Sequence, residues 1–106
     1  MLSIEIIRKA ITKATENGWN NALLWHVRGS DGSFLTTQAG SLDRAKSIAR
    51  QHKDSSIEPE IDSRYPWEAM VYNHNFAKAF WGEKWQSHLQ AMVLAEDPIK
   101  YLEKCL

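Results

Sequence analysis

Apolar residues follow two different spacings along this chain, and the change between them limits the folds that it can adopt. Over residues 3–17 they recur every three or four positions, which is typical of an amphipathic helix. Over residues 22–38 they alternate instead, around a turn signal made of Gly, Ser and Asp, which predicts a β-hairpin. A helix over residues 20–28, capped by asparagine, is the alternative interpretation of that segment.

The middle of the chain returns to the helical spacing and then becomes acidic. A second helix is predicted over residues 41–53, where Ser41 can cap the N-terminus and Asp43 lies in the first turn. Residues 54–65 contain a proline and many acids, and are predicted to be a linker. One short strand is expected within it, over residues 57–61, and its proline would confine that strand to a sheet edge.

The C-terminal part, residues 66–106, is predicted to be helical. Residues 73–75 are poor helix formers, so we expect a break there and Asn75 as the cap of the next helix. Gly82 is expected to end that helix. A helix over residues 83–95 should follow, and Asp97 with Pro98 should open a final helix as N-cap and first residue. One face of the helix over 83–95 is expected to carry Trp85, His88, Leu89, Met92 and Val93.

Together these segments predict an α+β fold that is mainly helical. It consists of an N-terminal helix, a β-hairpin, a helix, and a C-terminal cluster of two or three helices. The length of 106 residues predicts a single domain. Within it we distinguish a basic half over residues 1–53, the acidic linker over 54–65 and the helical part over 66–106.

A formal net charge of zero conceals an uneven distribution of charge. Residues 1–53 hold eight Lys and Arg against four Asp and Glu, whereas residues 54–106 hold five against nine. The halves therefore carry net charges of +4 and −4, which indicates a polar interaction surface, either between the halves or with a partner. Bases of the predicted second helix offer a surface for phosphates: Arg44, Lys46, Arg50 and Lys53. A protein partner is favoured over nucleic acid, because acids follow directly and no nucleic-acid-binding signature is present.

The stretch NHNFAKAFWG, followed by WQSHLQAMVLAEDPIKYLEKCL, resembles a family of small uncharacterised proteins from phages and bacteria. That family shows His-Asp-Phe-Ala-Lys-Ala, then Trp-Gly, a His-Leu pair and a terminal helix opened by Asp-Pro. This chain departs from the pattern at Asn75, where the family has Asp, and at Cys105, where an apolar residue is expected. The resemblance implies a phage or prophage origin and a shared fold, but no chemistry.

Motifs for catalysis and metal binding are absent from the sequence. It has no Gly-x-Ser-x-Gly, no phosphate-binding glycine loop and no dinucleotide fingerprint. Its four histidines lack metal-ligand spacing, and the single cysteine, Cys105, excludes a multi-cysteine zinc site. We therefore expect no catalytic residue, no metal and no cofactor. A small enzyme or metal protein built around His74 or His88 is the third hypothesis for function.

Five tryptophans are more than a core of this size is expected to bury completely, and tryptophan is common at interface hot spots. The candidate partner-binding residues are Trp67, His74, Asn75, Trp81 and Trp85. Our leading hypothesis is a small non-enzymatic accessory factor, encoded by a phage or prophage, that binds another protein. Two copies could also share the apolar C-terminal face as a homodimer.

The cysteine count and the length of the apolar runs indicate the cellular compartment. A single cysteine is typical of proteins from a reducing environment. No apolar run approaches the roughly 20 residues needed to cross a bilayer. We therefore expect a cytoplasmic protein that does not engage a membrane.

Overall fold

The computed structural model describes residues 3–21, 23–61 and 67–106, with only the backbone of Thr37, Trp67 and Ala69. These residues form a helical unit, over Met1–Asn20 and Asp62–Leu106, and a sheet unit, over Asn21–Ile61. The fold is α+β and mainly helical, as predicted. In chain order the elements are α1 (Ser3–Glu16), β1 (Trp25–Arg28), β2 (Phe34–Ala39), α2 (Leu42–Ala49), β3 (Ser56–Pro59), α3 (Trp67–Val71), α4 (His74–Trp81), a 3₁₀ turn (Gly82–Lys84), α5 (Trp85–Leu94) and α6 (Pro98–Lys104).

Helix α1 supplies the first apolar face of the helical unit. Its buried residues are Ile6, Ile7, Ala10, Ile11 and Ala14, which follow the predicted stripe. Gly18 ends the helix with a φ of 100°, so that its own N–H reaches the Thr15 carbonyl and the Trp19 N–H reaches that of Ala14. This pair of bonds forms a Schellman motif, and it turns the chain so that Trp19 packs on the helical unit.

Polar contacts then fix α1 against the C-terminal helices. The Asn17 side-chain amide donates to the carbonyl of Ala79 in α4, at 3.0 Å. The Lys13 ammonium donates to the carbonyl of Cys105, directly after α6, at 3.2 Å. Both ends of the chain therefore contribute to one helical core.

The break expected at residues 73–75 is present, but Asn73 caps α4 and the prediction of Asn75 was wrong. The Asn73 side-chain oxygen accepts hydrogen bonds from the N–H groups of Asn75, at 2.8 Å, and Phe76, at 3.3 Å. Asn75 lies in the first turn with its side chain exposed. Asparagine is a favourable N-cap residue at either position. Asn73 takes that role because the helical backbone already begins at His74.

The other predicted helix ends in this unit are confirmed. Gly82 ends α4 with a φ of 72°, and its N–H donates to the Lys78 carbonyl. The Asp97 carboxylate accepts from the Lys100 N–H at 3.1 Å, and Pro98 is the first residue of α6. Because α5 lies between these two ends, its position in the chain follows from local chemistry.

The sheet unit contains three antiparallel strands in the order β2-β1-β3, with α2 packed against them. Trp25 and Val27 of β1 are buried together with Ala39, Leu42 and Ala45. The hairpin prediction is therefore confirmed over its helical alternative. The short strand is also present, at Ser56–Pro59, and it lies at a sheet edge as its proline requires.

Helix α2 is shorter than the predicted 41–53. Its N-terminus is as expected, because the Ser41 hydroxyl accepts from the Arg44 N–H at 3.1 Å. It ends at Ala49, where the apolar stripe stops, and the Ser55 hydroxyl contacts the carbonyl of Ala49 at 2.8 Å. Lys53 consequently lies outside the helix, in the turn that follows it.

The assignment of the α4 cap predicts different effects for the two asparagines. Asn73→Ala should lower the free energy of unfolding by about 1 kcal/mol, because two N–H groups of the first turn lose their acceptor. Asn75→Ala is the matched control and should change it by less than about 0.5 kcal/mol. Urea denaturation of the three proteins measures both values, and equal losses would contradict the assignment.

Candidate protein-binding surface

A fully buried phenylalanine organises the helical unit. The ring of Phe76, in α4, is 0 % exposed. Trp19 meets it edge to face, with ring centroids 5.3 Å apart, and Phe80 stacks on it at 5.4 Å. Edge-to-face and offset-stacked geometries are the favourable arrangements for aromatic pairs. The end of α1 is therefore joined to α4 by aromatic packing.

A second set of rings joins α4 to α5 and α6. Trp81 lies edge to face with Phe80, at 5.1 Å, and stacks in parallel on the His88 ring at 5.5 Å. The His88 Nδ1 is 2.9 Å from the hydroxyl of Tyr101, in α6. His88 is thus held by one ring stack and one hydrogen bond, and these contacts direct that side of α5 towards α4 and α6.

The environment of Tyr101 alters its acidity. Partial burial raises the pKa of Tyr101 above its ordinary value, and the charge of Cys105 adds to the effect. Both causes disfavour the phenolate. The hydroxyl therefore keeps its proton over a wider pH range and remains available to His88.

A row of larger apolar residues runs from the half-buried side of α5 to its exposed side. Trp85, Leu89 and Val93 are spaced four residues apart, so they lie in one row along the helix. The ring of His74 is 5.3 Å from that of Trp85, and the Lys78 ammonium lies 5.2 Å from the Trp85 ring centroid. We call these five residues the α5 surface.

The part of the α5 surface that lies on α5 itself is apolar. None of the ten residues of α5 is Asp, Glu, Lys or Arg. Val93 is 57 % exposed, although the sequence pattern predicts it on the same face as the buried Met92. Leu94 is 76 % exposed. The other exposed residues of α5, Gln86, Ser87 and Gln90, are polar but uncharged. A solvated helix face normally carries charged residues, so an exposed side without any is unusual for a surface that only meets water.

The structure distributes the predicted partner-binding residues over several places. It brings His74 and Trp85 together, and it turns Trp81 towards His88 and the phenylalanines. Asn75 is exposed on α4. The side chain of Trp67 lies outside the described residues. Sequence reasoning placed Leu89 and Val93 on the apolar C-terminal face that two copies could share, but it did not single out Lys78. The absence of charge over residues 85–94 was a further readable signal.

The predicted basic surface divides between α2 and the turn after it. Arg44 is exposed on α2. Lys46 and Arg50 line an open hollow of about 430 Å³ between α2 and β3, together with His52. Lys53 lines a second hollow, of about 390 Å³, which also includes His52. The four bases therefore do not form one continuous row on a single helix.

One acid of the segment 54–62 pairs with bases of the first half of the chain. The Glu58 carboxylate accepts from the Arg28 Nε at 2.9 Å, and it lies 3.9 Å from the His26 Nδ1. Arg28 also lies over the Phe34 ring, at 4.2 Å. The oppositely charged halves of the sequence thus meet between β3 and β1.

The described residues contain no candidate metal site and no candidate membrane-spanning helix. Among them, no group of three or more His, Cys, Asp or Glu side chains could hold a metal ion. His74 and His88 contact different tryptophans. Within this part of the chain, no helix has the length and apolar character that a bilayer crossing requires.

Comparison of the chain with protein-family models, with curated proteins and with solved structures finds no match.

The raised pKa of Tyr101 predicts a specific loss of stability at high pH. The folded state favours the protonated hydroxyl, so this contribution is complete below about pH 10 and is lost as the pH rises through the higher folded-state pKa. Unfolding free energies measured from neutral to strongly alkaline pH should fall more steeply for the unmodified protein than for Tyr101→Phe. Identical slopes for the two proteins would contradict the assigned environment.

Proposed function

We propose that this chain is a small non-enzymatic factor that binds another protein through the α5 surface. The observation that carries the proposal is the charge-free α5, whose Val93 is more than half exposed. The centres of protein–protein interfaces are depleted in charged residues and enriched in tryptophan and methionine. A half-buried tryptophan in the same row as an exposed valine matches that composition.

The residues around the row indicate the chemistry of the partner. Covering Trp85, Leu89 and Val93 requires an apolar surface, such as the apolar face of a helix. Lys78 and His74 lie beside Trp85 at one end of the row, so an acidic residue on the partner would complete that end. Trp85 is the expected hot spot, because it has the largest side chain in the row and is already held in place by two neighbours.

The origin and compartment of the protein complete this proposal. The resemblance of the C-terminal part to small phage and bacterial proteins supports a phage or prophage origin. The single cysteine supports action in the cytoplasm, where thiols stay reduced.

Two neighbouring substitutions on α5 test the proposed function. Val93→Asp places a charge in the row, whereas Leu94→Asp places the same charge about 100° further around the helix. Both sites are exposed, so both variants should fold with nearly unchanged stability. Chemical cross-linking in cells, followed by mass spectrometry, should recover a protein joined to the unmodified chain and to the Leu94→Asp variant. The amount of that protein recovered with Val93→Asp should be at least tenfold lower. Equal recovery with all three, or no cross-linked protein, would contradict the proposal.

A second function, nucleic-acid binding, is favoured by one observation. Lys46, Arg50 and His52 line the open hollow between α2 and β3, so two or three cationic groups face the same space. Each could contact a backbone phosphate without reading sequence. Asp54 also lines this hollow and opposes an anion there, which is why protein binding stands first.

Binding of a labelled single-stranded oligonucleotide, measured by fluorescence anisotropy at several salt concentrations, tests this second function. The double variant Lys46→Gln, Arg50→Gln should lower both the affinity and the salt dependence, by about one unit of slope for each lost contact. Arg44→Gln removes a base from the same helix outside the hollow and should have a smaller effect. Absence of binding at low salt, or equal losses for both variants, would exclude the hollow as the site.

A further inference from the structure

The row on α5 has a layout that is complementary to itself. Leu89 lies at its middle, with Trp85 one helical turn before it and Val93 one turn after it. If two such helices pair antiparallel about a two-fold axis at Leu89, the Trp85 of each copy meets the Val93 of the other. A large ring therefore faces a smaller side chain at both ends, and the two leucines meet at the centre.

The charges beside the row follow the same symmetry. Lys78 lies against Trp85, at the N-terminal end of α5. Glu96 is exposed two residues beyond the C-terminal end of α5. In the antiparallel pair, the Lys78 of each copy approaches the Glu96 of the other, so two ion pairs close the interface. Glu83 and Lys84 also lie at the N-terminal end, and their opposite charges offset each other.

Three properties thus favour the same occupant for the α5 surface. The row carries no charge to repel its own copy, its side chains decrease in size from Trp85 to Val93 so that large meets small in an antiparallel pair, and the charges that flank its two ends are opposite. The whole chain also has a formal net charge of zero, so long-range repulsion between copies is absent. We infer that the α5 surface binds a second copy of this chain, as a two-fold homodimer in which the two α5 helices run antiparallel. This inference rests on the proposed function, because it names the partner of that same surface.

Exchange of the flanking charges tests the inference directly. Sedimentation velocity of the purified full chain over a range of concentrations should show a dimer. Lys78→Glu and Glu96→Lys should each weaken it several-fold, because each places like charges together at both ends of the interface. The double variant Lys78→Glu, Glu96→Lys should recover the dimer, because the charges are exchanged but remain opposite. Circular dichroism confirms that every variant is folded.

The apolar row supplies the second arm of the test. Val93→Asp should raise the dimer dissociation constant at least tenfold, which is a loss of at least about 1.4 kcal/mol of binding free energy. Leu94→Asp should leave the dissociation constant within about twofold. A monomer at every concentration, a dimer insensitive to Val93→Asp, or single charge variants that the double variant does not rescue would each overturn the inference.

The outcomes separate this inference from the proposed function. If the purified chain is monomeric but cross-linking in cells recovers a different protein in a Val93-dependent way, the homodimer is wrong and protein binding stands. If neither the purified chain nor the cross-linking shows a Val93-dependent contact, both are wrong.

Discussion

The helical unit depends on a continuous series of ring contacts that starts at Phe76. This ring is fully buried and joins Trp19, at the end of α1, to the rest of α4. Trp81 continues the series to His88 of α5, and the His88 imidazole reaches Tyr101 of α6 through a hydrogen bond. Four helices are therefore held by one set of contacts, whose strength comes from apolar burial with aromatic geometry added to it.

These contacts decide which side of α5 meets water. With His88 held against Trp81 and Met92 only 1 % exposed, the row runs from the half-buried Trp85 and Leu89 to the exposed Val93. Charged residues on the exposed side of a helix indicate that this side meets water alone. Because α5 has none, the same packing that stabilises the helical unit also leaves apolar side chains exposed on α5.

Sequence reasoning succeeded where a local chemical rule decides the structure. Gly82 after α4 and the Asp97-Pro98 pair before α6 mark helix ends by backbone and capping chemistry that needs no tertiary contact. The edge position of β3 followed from Pro59 in the same way, because a proline lacks the N–H that a central strand requires. Sequence reasoning was less accurate where two neighbouring residues satisfy the same local rule equally well. Asn73 and Asn75 both suit a cap, and α2 could continue past Ala49 by propensity alone.

The candidate site was only partly predictable for a related reason. The histidine and tryptophan that meet on the α5 surface, His74 and Trp85, were identified from residue type. The exposure of Val93 was not, because His88, Leu89, Met92 and Val93 span more of the helix than one neighbour can cover. The contacts of His88 with Trp81 of α4 and Tyr101 of α6 set which residues of α5 stay exposed. A local sequence pattern does not reveal these contacts between different helices.

The central claim is that the α5 surface is a protein interface, and the indole N–H resonance of Trp85 reports on it most directly. Its nuclear magnetic resonance signal can be compared with that of Trp25, which is 1 % exposed in the core of the sheet unit. As a concentrated sample is diluted, the account predicts that the Trp85 signal shifts while the Trp25 signal stays fixed. A Trp85 signal that does not change with protein concentration, and does not change when cell extract is added, would contradict it.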